Sequence, residues 1–167
     1  MSKYCELLAR RLGADYERCE LIRVSCVMHD VGKIGISDNI LLKPGPLSTD
    51  EFNVMKTHPQ IGRRILEGSS AEVLQLAATV AYTHHEWWDG TGYPDGLSGE
   101  TIPLEGRIAA IGDVFDALTT NRVYRKAFTL GEAVEIMRNE RGTHFDPHLL
   151  DLFFDSINEH VAIRENA

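Results

Sequence analysis

Six residues of this sequence stand out as candidate metal ligands: the adjacent His29-Asp30, His58 just before Pro59, the adjacent His84-His85, and Asp113 inside the apolar run AAIGDVFDAL. Imidazoles and carboxylates together make a mixed nitrogen and oxygen donor set, which suits iron, manganese, nickel or zinc and needs no cysteine. Six side chains exceed what one catalytic ion with an open position takes, but they suffice for two ions if a carboxylate bridges them. Two ions about 3.5–4 Å apart can hold an oxygen nucleophile in line with a phosphorus centre. Singly, each residue has a plainer reading. A His-Asp pair is commonly a cap or a surface pair, and Asp113 could partner an arginine such as Arg107, since a buried carboxylate is costly unless paired or metal-bound. It is the set that points to a metal centre.

The elements that must position these residues are helical, because apolar positions recur at helical spacing and strand-like alternation is scarce. Helices are predicted over about 3–12, from 16 to 31 with Asp15 as cap and Gly32 as stop, and from about 49, where Ser48-Thr49-Asp50-Glu51 reads as a capping box. Pro59 suits the first turn of a helix reaching about 67, and 71–85 reads as the most buried helix. Residues 86–104, rich in glycine and aspartate, read as loop, and 105–120 as helix. Thr129-Leu130-Gly131-Glu132 is a second capping box, and Asp146-Pro147 opens a last helix. Residues 158–167 are expected to be a frayed tail, and His148 and His160 surface residues. His144 is expected at a helix start, as a packing residue. The fold class is all-α, a compact helical bundle in one domain over 1–167.

The 167 residues carry a net charge of −8, with 43% hydrophobic side chains. That balance argues against disorder and against a duplex DNA partner, which a basic face would serve. It leaves room for a small anion, because a bound cation reverses the local field. Cys5, Cys19 and Cys26 form no CxxC pair, as expected of reduced thiols in a cytoplasmic protein. No apolar run approaches the ~20 residues of a membrane span.

The segments MHDVGKIGISDNILLKPGPLSTDEF, MKTHPQIGRRIL, HHEWWDGTGYPDGLSGETIPLEGRIAAIGDVFDALTTNRVYRKAF and GTHFDPHLL resemble, in this order, the HD-GYP domain, a branch of the HD metal-dependent phosphohydrolases. The resemblance implies an HD core with extra C-terminal helices. It implies hydrolysis of the bacterial second messenger cyclic di-GMP to pGpG, with GMP after a second cut. It assigns His29, Asp30, His58, His84, His85 and Asp113 as ligands of two divalent ions, iron or manganese first, with nickel, zinc and magnesium compatible. Asp30 would bridge the ions. Lys33 would reach the substrate phosphate and support charge in the transition state, and Tyr93 of Gly92-Tyr93-Pro94 would lie against the ligand. Arg122 and Arg125 would face phosphates and guanines.

The resemblance also implies partners: an N-terminal regulatory domain, a GGDEF domain met through the loop that carries Tyr93, and a second copy in a homodimer. The family's first helix usually starts upstream with a histidine, often with a glutamate one turn before it. This sequence enters that helix partway, so two ions rather than three are expected. Two other readings stand beside the phosphodiesterase. One is a cyclic di-GMP receptor with little turnover, and the other an HD phosphohydrolase acting on a different nucleotide or cyclic dinucleotide.

Overall fold

A computed structural model describes residues 1–121 and 126–165. Their elements in chain order are α1 (Ser2–Arg11), α2 (Tyr16–Cys26), a 3-10 turn (Val31–Gly35), α3 (Asp38–Leu41), α4 (Thr49–Met55), α5 (His58–Leu66), α6 (Glu72–Thr83), a second 3-10 turn (Gly99–Thr101), α7 (Leu104–Thr119), α8 (Leu130–Asn139), α9 (Pro147–Asp155) and α10 (Ile157–Glu165). Among the described residues there is no strand, only two isolated bridges, Asp89 with Ser98 and Arg141 with Phe145. The all-α expectation holds.

The predicted starts are realised by side-chain caps that satisfy otherwise orphaned N–H groups. Asp15 accepts the Arg18 N–H at 2.8 Å to open α2. Ser48 and Thr129 close capping boxes with Glu51 and Glu132 at α4 and α8. Asp146 accepts from His148 and Leu149, with Pro147 in the first turn of α9.

The core forms where α1, α2, α6, α7 and α9 meet. Phe115 of α7 is fully buried, edge-on to Tyr4 at 5.2 Å and to Phe153 at 5.0 Å. Each such side chain contributes about 1.5–3 kcal/mol of burial free energy. The most buried helix is α7, in which ten of sixteen residues are buried, and not α6, which keeps Gln75 exposed and Tyr82 half-exposed. Gly106 lets α7 press on the end of α6: a Cβ there would lie 2.2 Å from Thr83 Oγ1.

Three further expectations are corrected. Helix α2 stops at Cys26, well short of 31, and the chain turns before the 3-10 segment because the Cys26 carbonyl accepts both the His29 N–H and the His29 ring. The segment expected to fray is α10, held by His160, which is fully buried and stacked on Phe153 at 4.0 Å. Arg107 pairs with Asp146 at 2.7 Å rather than with Asp113.

Candidate metal centre

The six predicted ligands come from four separate stretches of chain, and packing brings them together. His29 and Asp30 sit in the turn after α2. That turn lies directly on the first turn of α5, because Gly32 has no side chain: a Cβ there would fall 1.9 Å from the His58 carbonyl oxygen. His58 is thereby set beside Asp30. The end of α6 supplies His84, with His85 following it, and α7 supplies Asp113.

Asp30 lies at the centre. Its Oδ2 is 3.3 Å from His29 Nε2, and its Oδ1 is 3.3 Å from His58 Nε2 and 3.7 Å from His84 Nε2. His58 Nε2 and His84 Nε2 are 3.5 Å apart. His29 Nε2 also reaches Asp113 Oδ1 at 3.6 Å. His85 offers a ring nitrogen to the same cluster: donor atoms of Asp30, His58, His84 and His85 all lie within 4.8 Å of one another.

The outer nitrogens fix the tautomers. His58 Nδ1 donates to the Met55 carbonyl at 2.8 Å, His84 Nδ1 to the Ala81 carbonyl at 3.0 Å, and His29 Nδ1 to the Cys26 carbonyl at 2.9 Å. A carbonyl can only accept, so each Nδ1 carries a proton, and in the neutral rings of His58 and His84 the Nε2 lone pair points inward. This is the arrangement in which backbone carbonyls orient metal-binding histidines. Asp30 Oδ1 is buried and receives no hydrogen bond. A carboxylate oxygen and two imidazole lone pairs therefore face one another with no proton between them. Buried acceptors left so are costly, and a divalent cation is what that donor set accommodates.

The electrostatics agree. Burial opposes a charge on His29, yet the Asp113 and Asp30 carboxylates outweigh it and hold the imidazole up to about 10. Burial alone would raise Asp30, but its hydrogen bond with His29 leads the interactions that keep its carboxyl well below the usual range. Asp113 is lowered against its own burial, again chiefly by His29. Burial, with the neighbouring His84 and His58, pushes His85 down to about 2, so this ring stays neutral and able to ligate. The proton between His29 and its two carboxylates occupies a place that suits a cation.

Around the cluster, the Lys33 ammonium pairs with Asp30 Oδ2. Tyr93 stacks on His85 with centroids 4.7 Å apart, and the Tyr93–Pro94 peptide is cis. Burial, then Asp30 and Asp113, push the Tyr93 phenol upward, so it stays protonated. Arg122 and Arg125 lie outside the described residues.

Sequence reasoning left one residue without a role. Glu86 follows His85 and is 2% exposed; it accepts the N–H of Asp95 at 2.8 Å and of Leu97 at 2.9 Å. It clamps the loop that presents Tyr93. The available signal was an acidic residue directly after two histidines, ahead of a loop dense in N–H groups. On the far side, the same loop is tied down by Trp88 N–H to the His144 carbonyl, and by Trp87 stacked on His144 at 4.4 Å. His144 is thus a packing residue, as expected.

Residues 1–149 match the model of the HD domain family. This chain is an HD domain, of the HD-GYP branch. The HD domain is 49% identical over 151 residues to the cyclic di-GMP phosphodiesterase response regulator RpfG of Xanthomonas campestris, covering 90% of this chain and 40% of that protein. It is 43% identical over 161 residues to the 3'3'-cGAMP-specific phosphodiesterase 2 of Vibrio cholerae, covering 96% of this chain and 31% of that protein. Among solved structures, Bd1817, a HDG"Y"P protein from Bdellovibrio bacteriovorus, superposes with a TM-score of 0.71 at 21% identity, over 94% of this chain and 50% of that one. That likeness shows the fold. The chain spans less than half the length of these curated relatives, and its family implies that it binds divalent metal.

Proposed function

We propose that this HD domain is a phosphodiesterase that opens cyclic di-GMP to pGpG, using two divalent ions held by His29, Asp30, His58, His84, His85 and Asp113. Iron and manganese are the first candidates for such nitrogen and oxygen donors. The observation that carries the reading is Asp30. One oxygen faces His29 and Lys33, the other faces His58 and His84, so a single carboxylate serves both halves of the cluster. When bound, the ions would supply an activated oxygen nucleophile and Lewis acidity toward phosphorus. The chain's own residues would do the rest. Lys33, now resting on Asp30, is placed to turn to a phosphoryl oxygen and neutralise charge that builds there. Tyr93, over the ring of His85, would form one wall of the substrate cleft, with Glu86 fixing its loop.

A second reading, 3'3'-cGAMP as substrate, is favoured by the relative from Vibrio cholerae that bears that name. No helix among the described residues is long and apolar enough to cross a membrane, which fits a domain that meets its nucleotide in the cytoplasm. Incubation with each cyclic dinucleotide after anaerobic loading with Fe(II) or Mn(II), with products resolved by chromatography, tests the proposal. Conversion of cyclic di-GMP to pGpG supports it. Stoichiometric binding without product would make the domain a receptor instead.

A further inference from the structure

Helix α4 buries none of its residues, yet it carries a phenylalanine, Phe52, that is 47% exposed. An aromatic side chain that adds nothing to a core invites a question about what it faces. Phe52 meets Tyr93 edge to face, with centroids 6.5 Å apart and the rings at 82°. Tyr93 in turn stacks on His85, with rings 28° apart. Three rings therefore step outward from the metal cluster, and Phe52 is the last of them. The step is fixed at its inner end too: Met55, in the next turn of α4, orients His58 through its carbonyl. Helix α4 itself is held by its capping box and by Lys43, whose ammonium is 2.6 Å from Glu51.

Over one face of the ring is a cation. Lys33 and Lys43 are ion-paired, whereas among the described residues Lys56 forms no ion pair; its ammonium stands 5.4 Å from the Phe52 centroid. An exposed aromatic ring with a donor poised over it, free to swing to the edge of an incoming ring, is a combination that receives a nucleobase. The ring stacks with any base, and stacking tolerates every sequence. The ammonium distinguishes purines, because guanine presents two acceptors, N7 and O6, on one edge, where adenine presents N7 and the N6 donor.

We infer that Phe52 and Lys56 form a base subsite at the outer rim of the metal centre, in which Phe52 stacks on one purine of the cyclic dinucleotide and Lys56 favours guanine there. The inference rests on the proposed phosphodiesterase reading. It makes Phe52 a binding residue and Lys56 a specificity-determining one for that reaction.

The test uses the Mn(II)-loaded protein and its Phe52→Ala, Phe52→Trp and Lys56→Ala variants, with steady-state kinetics on cyclic di-GMP and cyclic di-AMP, the latter offering no guanine to the subsite. Phe52→Ala is expected to raise KM for cyclic di-GMP about tenfold while kcat and metal content stay near wild type, the pattern of lost uniform binding. Phe52→Trp should restore KM, since a larger ring stacks equally well. Lys56→Ala should reduce the preference for cyclic di-GMP over cyclic di-AMP by about tenfold or more, the loss of one charge-assisted hydrogen bond. Unchanged KM in Phe52→Ala, or a fall in kcat and metal content that Phe52→Trp does not repair, overturns the stacking role. Unchanged preference in Lys56→Ala overturns the guanine assignment. If the wild type cleaves neither dinucleotide, the phosphodiesterase reading itself fails and takes the subsite with it. Cleavage by the wild type with an indifferent Phe52→Ala sinks the subsite alone.

Discussion

Asp30 Oδ1 and His58 Nε2 face each other across 3.3 Å with no proton to share, because the His58 ring spends its proton on the Met55 carbonyl. The contact is unfavourable in the bare chain and becomes favourable once a cation lies between them. Asp30→Ala should therefore strip the whole centre, since both halves of the cluster meet at this carboxylate. Turnover is expected to fall by several orders of magnitude, with metal content by mass spectrometry dropping close to zero. Two ions retained with near-normal rates would refute the bridging role.

Lys33 separates chemistry from binding. It stands on Asp30 Oδ2 and touches no other part of the cluster among the described contacts. If its charge acts mainly on the transition state, Lys33→Ala lowers kcat by about 10²–10³ with little change in KM. Metal content should persist. A rise in KM at constant kcat would recast Lys33 as an ordinary phosphate ligand.

Glu86 should act through Tyr93. Removing its carboxylate in Glu86→Ala leaves the N–H groups of the exposed Asp95 and the half-buried Leu97 without their protein acceptor, a cost of about 1 kcal/mol each where water can replace it. The loop would loosen. KM for the cyclic dinucleotide is expected to rise with the metal ions still bound, and Glu86→Gln, which keeps one acceptor oxygen, should recover part of the loss. Equal damage from both variants would mean that the charge, rather than the clamp, matters.

What the sequence made legible follows from where each signal resides. Caps are local, so the starts of α2, α4, α8 and α9 could be placed from Asp15, Ser48, Thr129 and Asp146 before any packing was considered. The end of α2 was not legible, because it is set by the His29 ring taking the Cys26 carbonyl, a choice made by the metal cluster rather than by helix propensity. Gly106 reads in isolation as a helix weakness of about 1 kcal/mol; only the contact with Thr83 shows that the missing side chain is what lets α6 and α7 close. The convergence of the six candidate ligands was inferred from residue types and from a family resemblance, while the orienting carbonyls and the Glu86 clamp are tertiary facts. His160 misled for the same reason. A lone histidine near a terminus reads as surface, and its burial depends on Phe153 and Tyr4 from elsewhere in the chain.

His160 yields the last prediction, which concerns stability rather than catalysis. Its ring is fully buried, neither nitrogen has a hydrogen-bond partner, and its aromatic neighbours are Phe153, Tyr4 and Phe115. Burial, reinforced by the positive charge of Arg11, pushes its pKa down to about 4. The unfolded chain would take up a proton near 6.5, so between about 6.5 and 4 the unfolded state binds more protons than the folded one. Stability therefore falls as pH drops through that window, by about 3 kcal/mol from this group at its lower end. His160→Phe keeps the stack and removes both the proton and the unsatisfied nitrogens. Urea titrations at a series of pH values should show the variant at least as stable as wild type at pH 7, with the gap widening as pH falls toward 4. Curves that stay parallel across the window would mean that α10 opens to solvent before His160 is charged.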